Sequence, residues 1–534
     1  MKKKLHTFIL LFLFPSVVFA QAPNLGTTVN FVLFSSDGAV TNTGISQFTG
    51  KIGTNNGSNT GFGNVNGGMH EADAITAQAS ADLLVAYNQL NDATPSFFPA
   101  PLLGNGTTLY AGVYSVSGAS TLNGNLILDA QNNPNAVFIF QISGPLSTNA
   151  NSKVKLTNGA KACNVFWKVE GLVDMTAGTS MKGTVIANNA GIIMNAADTI
   201  EGRALTTTGA ISINGVMGYT PTGCGSPILS GPATPSLGEV GCFGIFSSDG
   251  PVQNSGITNV IGDVGCNVGL TTGYDSLLVT GTIHSIPDFS TANAAADLLV
   301  AYNYLNLLPH DIELLYPAQF GSNLVLTPHT YILNGATTFT DTLYLNAQGV
   351  SDAVFVIKIE GALETSTFSN VVLRNGAQAK NVYWLVNGAV NINNNSVFNG
   401  TLISQGAINL FSGTEINGRA LSGVGAMSTT AINSSADIVL GSCNTVSVNE
   451  NNANIPVSIY PNPFVNFITV TFDNIENMGK IELHLYTVLG TEVFSEIITS
   501  QSTTIDMGNF SSGVYLYKIT TDNRVIKTGK LISK

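Results

Sequence analysis

The chain contains the same long segment twice. FVLFSSDGAVTNTGISQFTGKIGTNNG (31–57) aligns without gaps on FGIFSSDGPVQNSGITNVIGDVGCNVG (243–269), with 14 identities in 27 positions. ADLLVAYN recurs unchanged at 81–88 and 296–303, AVFIFQISGPL (136–146) answers AVFVIKIEGAL (353–363), and NGAKACNVFWKV (158–169) answers NGAQAKNVYWLV (375–386). GRAL stands at 202–205 and 418–421, and the two tryptophans, Trp167 and Trp384, are equivalent. The offset drifts only from 212 to 217, so one domain is present twice, at 24–222 and 236–440, with the Gly, Pro and Ser-rich linker 223–235 between the copies. A chain of 534 residues has room for these two units and a further small one.

Inside each copy lies a finer period. MTAGTSMKGTVIANNAGI (175–192) written above MNAADTIEGRALTTTGAI (194–211) superposes Gly183 on Gly202, a spacing of 19, and in the second copy Gly400 and Gly418 stand 18 apart. Short β-rich runs separated by Gly and Asn corners, too short for helices and too regular for loops, predict stacked coils of a β-solenoid. One coil cannot bury its own apolar side, whereas stacking buries a continuous core and pairs each coil with the next. One segment per copy departs from this. HEADAITAQASADLLVAYNQLNDATP (70–95) is Ala-rich, carries apolar residues at Ile75, Ala79, Leu83, Tyr87 and Leu90, and predicts an amphipathic helix of about five turns. Its copy at 290–306 keeps the same face, so each solenoid has one long helix along one side.

Charge narrows the partners. With 20 Lys and Arg against 32 Asp and Glu, a net charge of -12 leaves no clustered positive charge to displace counterions, and nucleic acid is excluded as a partner. Charged residues make up only 10% while apolar residues reach 44% and glycines number 56, so the chain folds and its surface is dressed with Thr, Ser, Asn and Gly. Lys2, Lys3 and Lys4, the apolar run Phe8 to Phe14 and Val18-Phe19-Ala20 read as a cleaved export leader, residues 1–20. No later segment has 18 uninterrupted apolar residues, so no membrane span is expected after its removal. Of five cysteines, Cys242 and Cys266 appear together in one copy only, at positions that are Asn30 and Thr54 in the other, which predicts a local disulfide between them. Cys163 and Cys224 form a weaker second pair, and Cys443 is left over.

Nothing in the chain reads as a catalyst. His6, His70, His284, His310, His329 and His484 are scattered, HExxH, GxSxG, Walker A and GxGxxG are missing, and neither metal nor cofactor is expected. The equivalent pairs Asp37/Asp249 and Arg203/Arg419 read as corners or carbonyl caps, and Phe166-Trp167 with Tyr383-Trp384 as core. Beyond the polar linker 441–456, the runs IYPNPFVNFITVTF, IELHLYTVLGTEVF and FSSGVYLYKI alternate β-branched and aromatic residues, which predicts a small β-sandwich over 457–534. With its basic end at Lys527, Lys530 and Lys534, this tail resembles the C-terminal sorting domain of the type IX secretion system of Bacteroidetes. The resemblance implies export across the outer membrane by that machinery, to a secreted or outer-surface location.

Through FVLFSSDGAVTNTGISQFTGKIG, ADLLVAYNQL, AVFIFQISGPL, LTNGAKACNVFWKV, GTVIANNAGIIM and EGRALTTTGAISI, and their counterparts in copy two, the duplicated domain resembles the microbial ice-binding protein family. That resemblance implies a mainly β fold of two irregular right-handed β-solenoids of triangular section, each flanked by one helix, that bind an ice crystal surface through one flat face. Ice offers neither charge nor pocket, so affinity there is the sum of many small contacts over a rigid area.

The 19-residue period places Ala187-Asn188-Asn189-Ala190 under Thr206-Thr207-Thr208-Gly209, and Ser35, Ser36, Asp37, Thr54 and Asn56 join the same row by resemblance. In copy two the row reads Ser247, Ser248, Asp249, Asn267, Ser404, Gln405, Ser422 and Val424. A competing row is Thr176, Thr179, Asn195 and Asp198, where TAGT looks like the T-A/G-X-T/N pattern of some family members. The expected function is ice adsorption that limits growth and recrystallisation or attaches the cell to ice. The alternative is a non-ice adhesin or matrix protein using the solenoid as a platform, with an extracellular hydrolase as a third, weaker reading.

Overall fold

The computed structural model describes residues 20–224, 228–436, 457–473, 479–487, 490–521 and 524–534, in two compact units, Met1–Val439 and Leu440–Lys534. The leader up to Phe19, Cys443 and the whole 441–456 linker lie outside the described residues.

Each copy in the first unit is a three-sided parallel β-solenoid. One side is an eight-stranded sheet of two- to four-residue strands, and a second sheet, 13-stranded in the first solenoid and 15-stranded in the second, wraps the other two sides. The wrap is made by long strands that bend. In Ser180–Ala187 the first half pairs with Lys153–Thr157 and the second with Val165–Val169, and the bend falls at Gly183, whose φ is +102°. A Cβ on Gly183 would lie 2.4 Å from the Val165 carbonyl oxygen, and one on Gly202, stacked in register on Gly183, would lie 1.8 Å from the carbonyl below. Gly400 and Gly418 make the same bend in the second solenoid. The glycine-on-glycine period of the sequence is thus a corner that no side chain fits.

Strands of the helix-covered side are buried on both faces, as parallel strands with cover on each side must be. Phe31–Ser35 and Val165–Val169 are buried throughout. Leu33, Phe140 and Trp167 point into the solenoid, where the Trp167 ring stacks on Phe140 at 4.0 Å and its indole N–H donates to the Lys182 carbonyl. The alternate residues Phe34, Ile139, Phe166 and Leu205 meet Ala79, Leu83, Ala86 and Leu90 of helix α1 (Ala74–Asp92). The Asp73 side chain caps α1, accepting from Thr76 N at 2.8 Å, while Thr76 Oγ1 accepts from Asp73 N; Asp288 and Thr291 do the same for α2 (Phe289–Leu307). Ile75, expected on the buried face, is exposed and its neighbour Thr76 is buried instead, while Ala86 is buried beside a half-buried Tyr87.

The coils do not stack in sequence order. Val40–Asn42 lies between Ile211–Ile213 and Asn59–Thr60, so the first coil of the chain packs on the last. α1 then carries the chain back along the solenoid to the far end at Leu102–Gly104. Arg203 and Arg419 are carbonyl caps as expected: Arg203 Nε donates to Val29 O and Arg419 Nε to Gly241 O.

The expected Cys242–Cys266 disulfide does not form. Ser247 is the residue in register with Cys266, and Phe243 is paired with Asp263, so Cys242 sits at the opposite end of its strand, roughly 16 Å away at about 3.3 Å per residue. A disulfide needs Cα atoms within about 7 Å. Cys266 is a free, buried thiol, whereas Cys242 is disulfide-bonded elsewhere. Cys163–Cys224, the weaker expectation, is bonded with Cα atoms 6.1 Å apart and ties the end of the first solenoid to its wall.

The second unit is a pair of antiparallel sheets, one of three strands (Val457–Tyr460, Phe467–Phe472, Ser502–Asp506) and one of four (Ile481–Thr487, Glu492–Ile498, Gly513–Thr521, Arg524–Ser533). Phe464, Val470, Leu483 and Ile519 fill one core between them. This is the expected small β-sandwich.

Candidate functional site

The eight-stranded side is the open one. Its three-residue strands turn their flanking residues inward and present the middle residue to solvent, as the period-two alternation of a strand requires. In the first solenoid the middle residues, in register, run Leu102, Thr121, Ser147, Asp174, Ile193, Ser212, Thr41 and Thr60. In the second they run Thr338, Glu364, Asn391, Asn409, Ser428, Gln253 and Thr272. Neighbouring coils hold one another's side chains: Asn409 Nδ2 donates to Asn391 Oδ1 at 2.8 Å, and Ser428 Oγ donates to Asn409 Oδ1 at 2.9 Å.

Beside that file the second solenoid carries a file of alanines. The N–H groups of Thr337, Leu363, Val390 and Ile408 donate to the carbonyls of Ala362, Ala389, Ala407 and Ala426, which stacks these four on Ala336, one per coil. The corresponding file of the first solenoid is mixed, Ala119, Pro145, Leu172, Gly191 and Ala210. On its other edge an asparagine ladder climbs from Asn149 through Asn123 to Asn105, each step 2.8 Å. Each middle file contains a single charged residue, Asp174 or Glu364, so the side is almost uncharged.

The row preferred from the sequence is in register as expected, Ala187 with Thr206, Thr206 with Ser35 and Ser35 with Thr54, yet it is a corner. Ser35, Thr54 and Thr206 are buried and point inward, where their hydroxyls donate to the carbonyls of Gly209, Gly38 and Ala190. Ser247, Ser404 and Ser422 do the same for Gly425, Gly388 and Gly406. These six cannot touch an external surface: they are small hydroxyl residues because they satisfy turn carbonyls.

Asn188 faces the helix, donating to Tyr87 Oη at 2.9 Å and to Glu170 Oε2 at 2.8 Å, and Thr207 Oγ1 donates to Asn188 Oδ1. Burial and then the Glu170 carboxylate push the Tyr87 phenol up to about 12. What the corner does expose is a ridge of Asn189, Thr208, Asp37 and Asn56, with Asn56 Nδ2 donating to Asp37 Oδ1 at 2.8 Å. Ser36 and Gly209 are half-buried beside it. In the second solenoid Asp249 and Val424 are exposed, and Ser248, Asn267 and Gln405 are half-buried.

The competing row falls at the opposite corner. Thr179 and Asp198 are buried, Asp198 accepting from Thr179 N at 2.8 Å and Asn195 N at 2.7 Å, and burial pushes its carboxyl up to about 6. Thr176 and Asn195, two residues after Asp174 and Ile193, lie on the rim of the eight-stranded side. The middle files themselves were missed. The signal was present in ALET, AVNI, AINL and AMST, each a short strand beginning with Ala at the same offset from the coil's corner.

Residues 34–217 and 246–433 match the family described as Ice-binding-like, and residues 458–534 match the Secretion system C-terminal sorting domain. The chain belongs to the ice-binding-like family. Its relatives include the ice-binding protein of Nostoc sp. (strain HG1), 38% identical over 198 residues that cover 36% of this chain and 73% of the relative. The ice-binding protein of Flavobacterium frigoris (strain PS1) is 33% identical over 203 residues, 35% of this chain and 71% of the relative. Among solved structures, the ice binding protein from an Antarctic bacterium Flavobacteriaceae is 57% identical with a TM-score of 0.77, and the match covers 78% of this chain and 99% of that one. Both solenoids of this family member are therefore family domains, and its tail is a sorting domain that places it outside the cell, secreted or on the outer surface. Among the described residues no grouping of His, Cys, Asp and Glu could hold a metal ion, and no helix is long and apolar enough to cross a membrane.

Proposed function

We propose that this protein adsorbs to ice through the eight-stranded sides of its solenoids, and that the second solenoid carries the stronger face. The observation that supports this is the pairing of an alanine file over five coils with a neighbouring file whose Asn391, Asn409 and Ser428 are hydrogen-bonded from coil to coil. Coils about 4.8 Å apart repeat the same small groups along a line, and a rigid sheet loses little entropy on docking to a crystal. Methyl groups and held amides order water without the strong hydration of Lys or Glu. The relatives described above as ice-binding proteins support the same reading. We divide the chain accordingly into the leader 1–20, solenoids 24–222 and 236–440 with the linker 223–235 between them, the linker 441–456 and the sorting domain 457–534, which engages type IX secretion machinery.

Two faces on one chain raise avidity when both dock at once. Recrystallisation inhibition and thermal hysteresis of the chain from Gln21 onward test the proposal. Activity that falls when bulk is placed on the alanine file supports it, and an inactive, folded protein sinks it.

A further inference from the structure

The two solenoids meet end to end through unlike surfaces. The end of the first solenoid that carries Gln47 and Asn66, its cap, docks on the end of the second that carries Ser322, Thr327 and Tyr331, its base. Asn66 Oδ1 lies 2.9 Å from Tyr331 Oη, Asn66 Nδ2 donates to Thr327 Oγ1 at 3.1 Å, and Gln47 Nε2 donates to Ser322 O at 2.8 Å. Because the solenoids are copies, each also has the other kind of end, and among the described residues the base of the first and the cap of the second make no such bonds.

The bases are built alike. Tyr331 Oη donates to Thr327 O and accepts from Thr327 N, and Tyr114 Oη makes the same pair of bonds with Tyr110. Ile312 and Phe97 each bridge the strand of that tyrosine. Thr327 and Ile312 are covered, at 3% and 8% exposure, whereas Tyr110 and Phe97 are 47% and 44% exposed, with Phe98 at 75% beside them. At the other end Ile261 pairs with Thr280 where the first cap pairs Thr49 with Asn66, and Ile261 and Leu277 are 41% and 90% exposed. Solenoid ends carry unpaired strand edges and stay soluble when their outer coils are polar. Here both free ends are apolar, and each is the counterpart of a surface that docks within the chain.

We infer that copies of this protein associate head to tail, the cap of the second solenoid of one chain covering the base of the first solenoid of the next. Such a contact is heterologous and open-ended, so it builds chains of copies. The inference does not depend on ice, since its readout is association in solution.

Sedimentation velocity of the chain from Gln21 onward should show a ladder of dimer, trimer and larger species that grows with concentration. Phe98→Asp disables the base and Leu277→Asp the cap; each variant alone should be monomeric, while their mixture should stop at a dimer. Both positions are exposed, and unchanged thermal melts confirm folding. A wild-type monomer up to the solubility limit overturns the inference. Self-association of either variant alone, or no dimer in the mixture of folded variants, does so too.

Discussion

Asn409 donates its amide to Asn391 of the neighbouring coil at 2.8 Å, and Asn409 in turn accepts from Ser428. Side chains held this way keep one orientation along the row, which is what a repeating water lattice can match. The first prediction follows from their neighbours. Ala389→Tyr puts bulk into the alanine file and should remove most of the thermal hysteresis and recrystallisation inhibition that the second solenoid supplies, with a stability change within about 0.5 kcal/mol for an exposed site. Thr208→Tyr, on the corner ridge, should leave both activities near wild type. The reverse ranking in the same ice assays would return the contact surface to the corner.

A second prediction concerns the junction between the solenoids. Asn66 is buried and bonds both Tyr331 and Thr327. Asn66→Ala removes those bonds and should cost about 1–3 kcal/mol. Calorimetry should then separate one solenoid's melting from the other's; an unaltered transition would mean that the junction is held by other contacts.

The third concerns cysteine chemistry. The Cys163–Cys224 bridge spans a separation of 61 residues, and loop closure of that length corresponds to about 4 kcal/mol in the chain-entropy picture. Cys224→Ser should lower the melting temperature markedly without altering the eight-stranded side. A thiol reagent should leave Cys266 unlabelled in the folded protein and modify it after denaturation, because the residue is fully buried.

The fourth is a pH dependence at the start of α2. His284 Nδ1 lies 2.5 Å from Asp288, the N-cap of the helix, and Nε2 lies 3.9 Å from Asp263. The Asp263 carboxylate, with Asp288, raises the imidazolium above its ordinary 6.5 against the opposing effect of burial. A raised folded value means that the contribution is complete below about 6.5 and is lost as pH rises through the folded value. For Asp288, burial is outweighed by the bonds from His284 and Thr291, so its carboxyl stays below 3.8, and its contribution disappears only as pH falls through that lower range. The melting temperature of wild type relative to His284→Asn should therefore be greater at mildly acidic pH than at pH 8. A difference that does not change with pH would show that His284 stays neutral in the folded state.

Much of this architecture is legible in the residues alone. The two copies, the helix in each, the stacked-coil fold and the corner at Gly183 and Gly202 follow from repetition and from period, because coils that are neighbours in sequence must superpose to pair their backbones. The register of Thr206 on Ala187 is read from the same alignment.

What the residues could not decide is direction. Thr206 and Thr207 are adjacent and chemically alike, yet one caps a carbonyl inside the corner and the other binds Asn188 outside it, and only the bend of the strand settles which is which. The stacking of the first coil on the last was equally hidden, since Val40–Asn42 and Ile211–Ile213 are brought together by a helix that returns the chain along the solenoid. Cys266 shows the same limit: its neighbour in sequence space was Cys242, but parallel register sets them at opposite ends of a strand. Periodicity specifies which residues share a level, because backbone pairing demands it; the inward or outward side and the order of the coils depend on corner geometry and chain return, which are properties of the assembled solenoid.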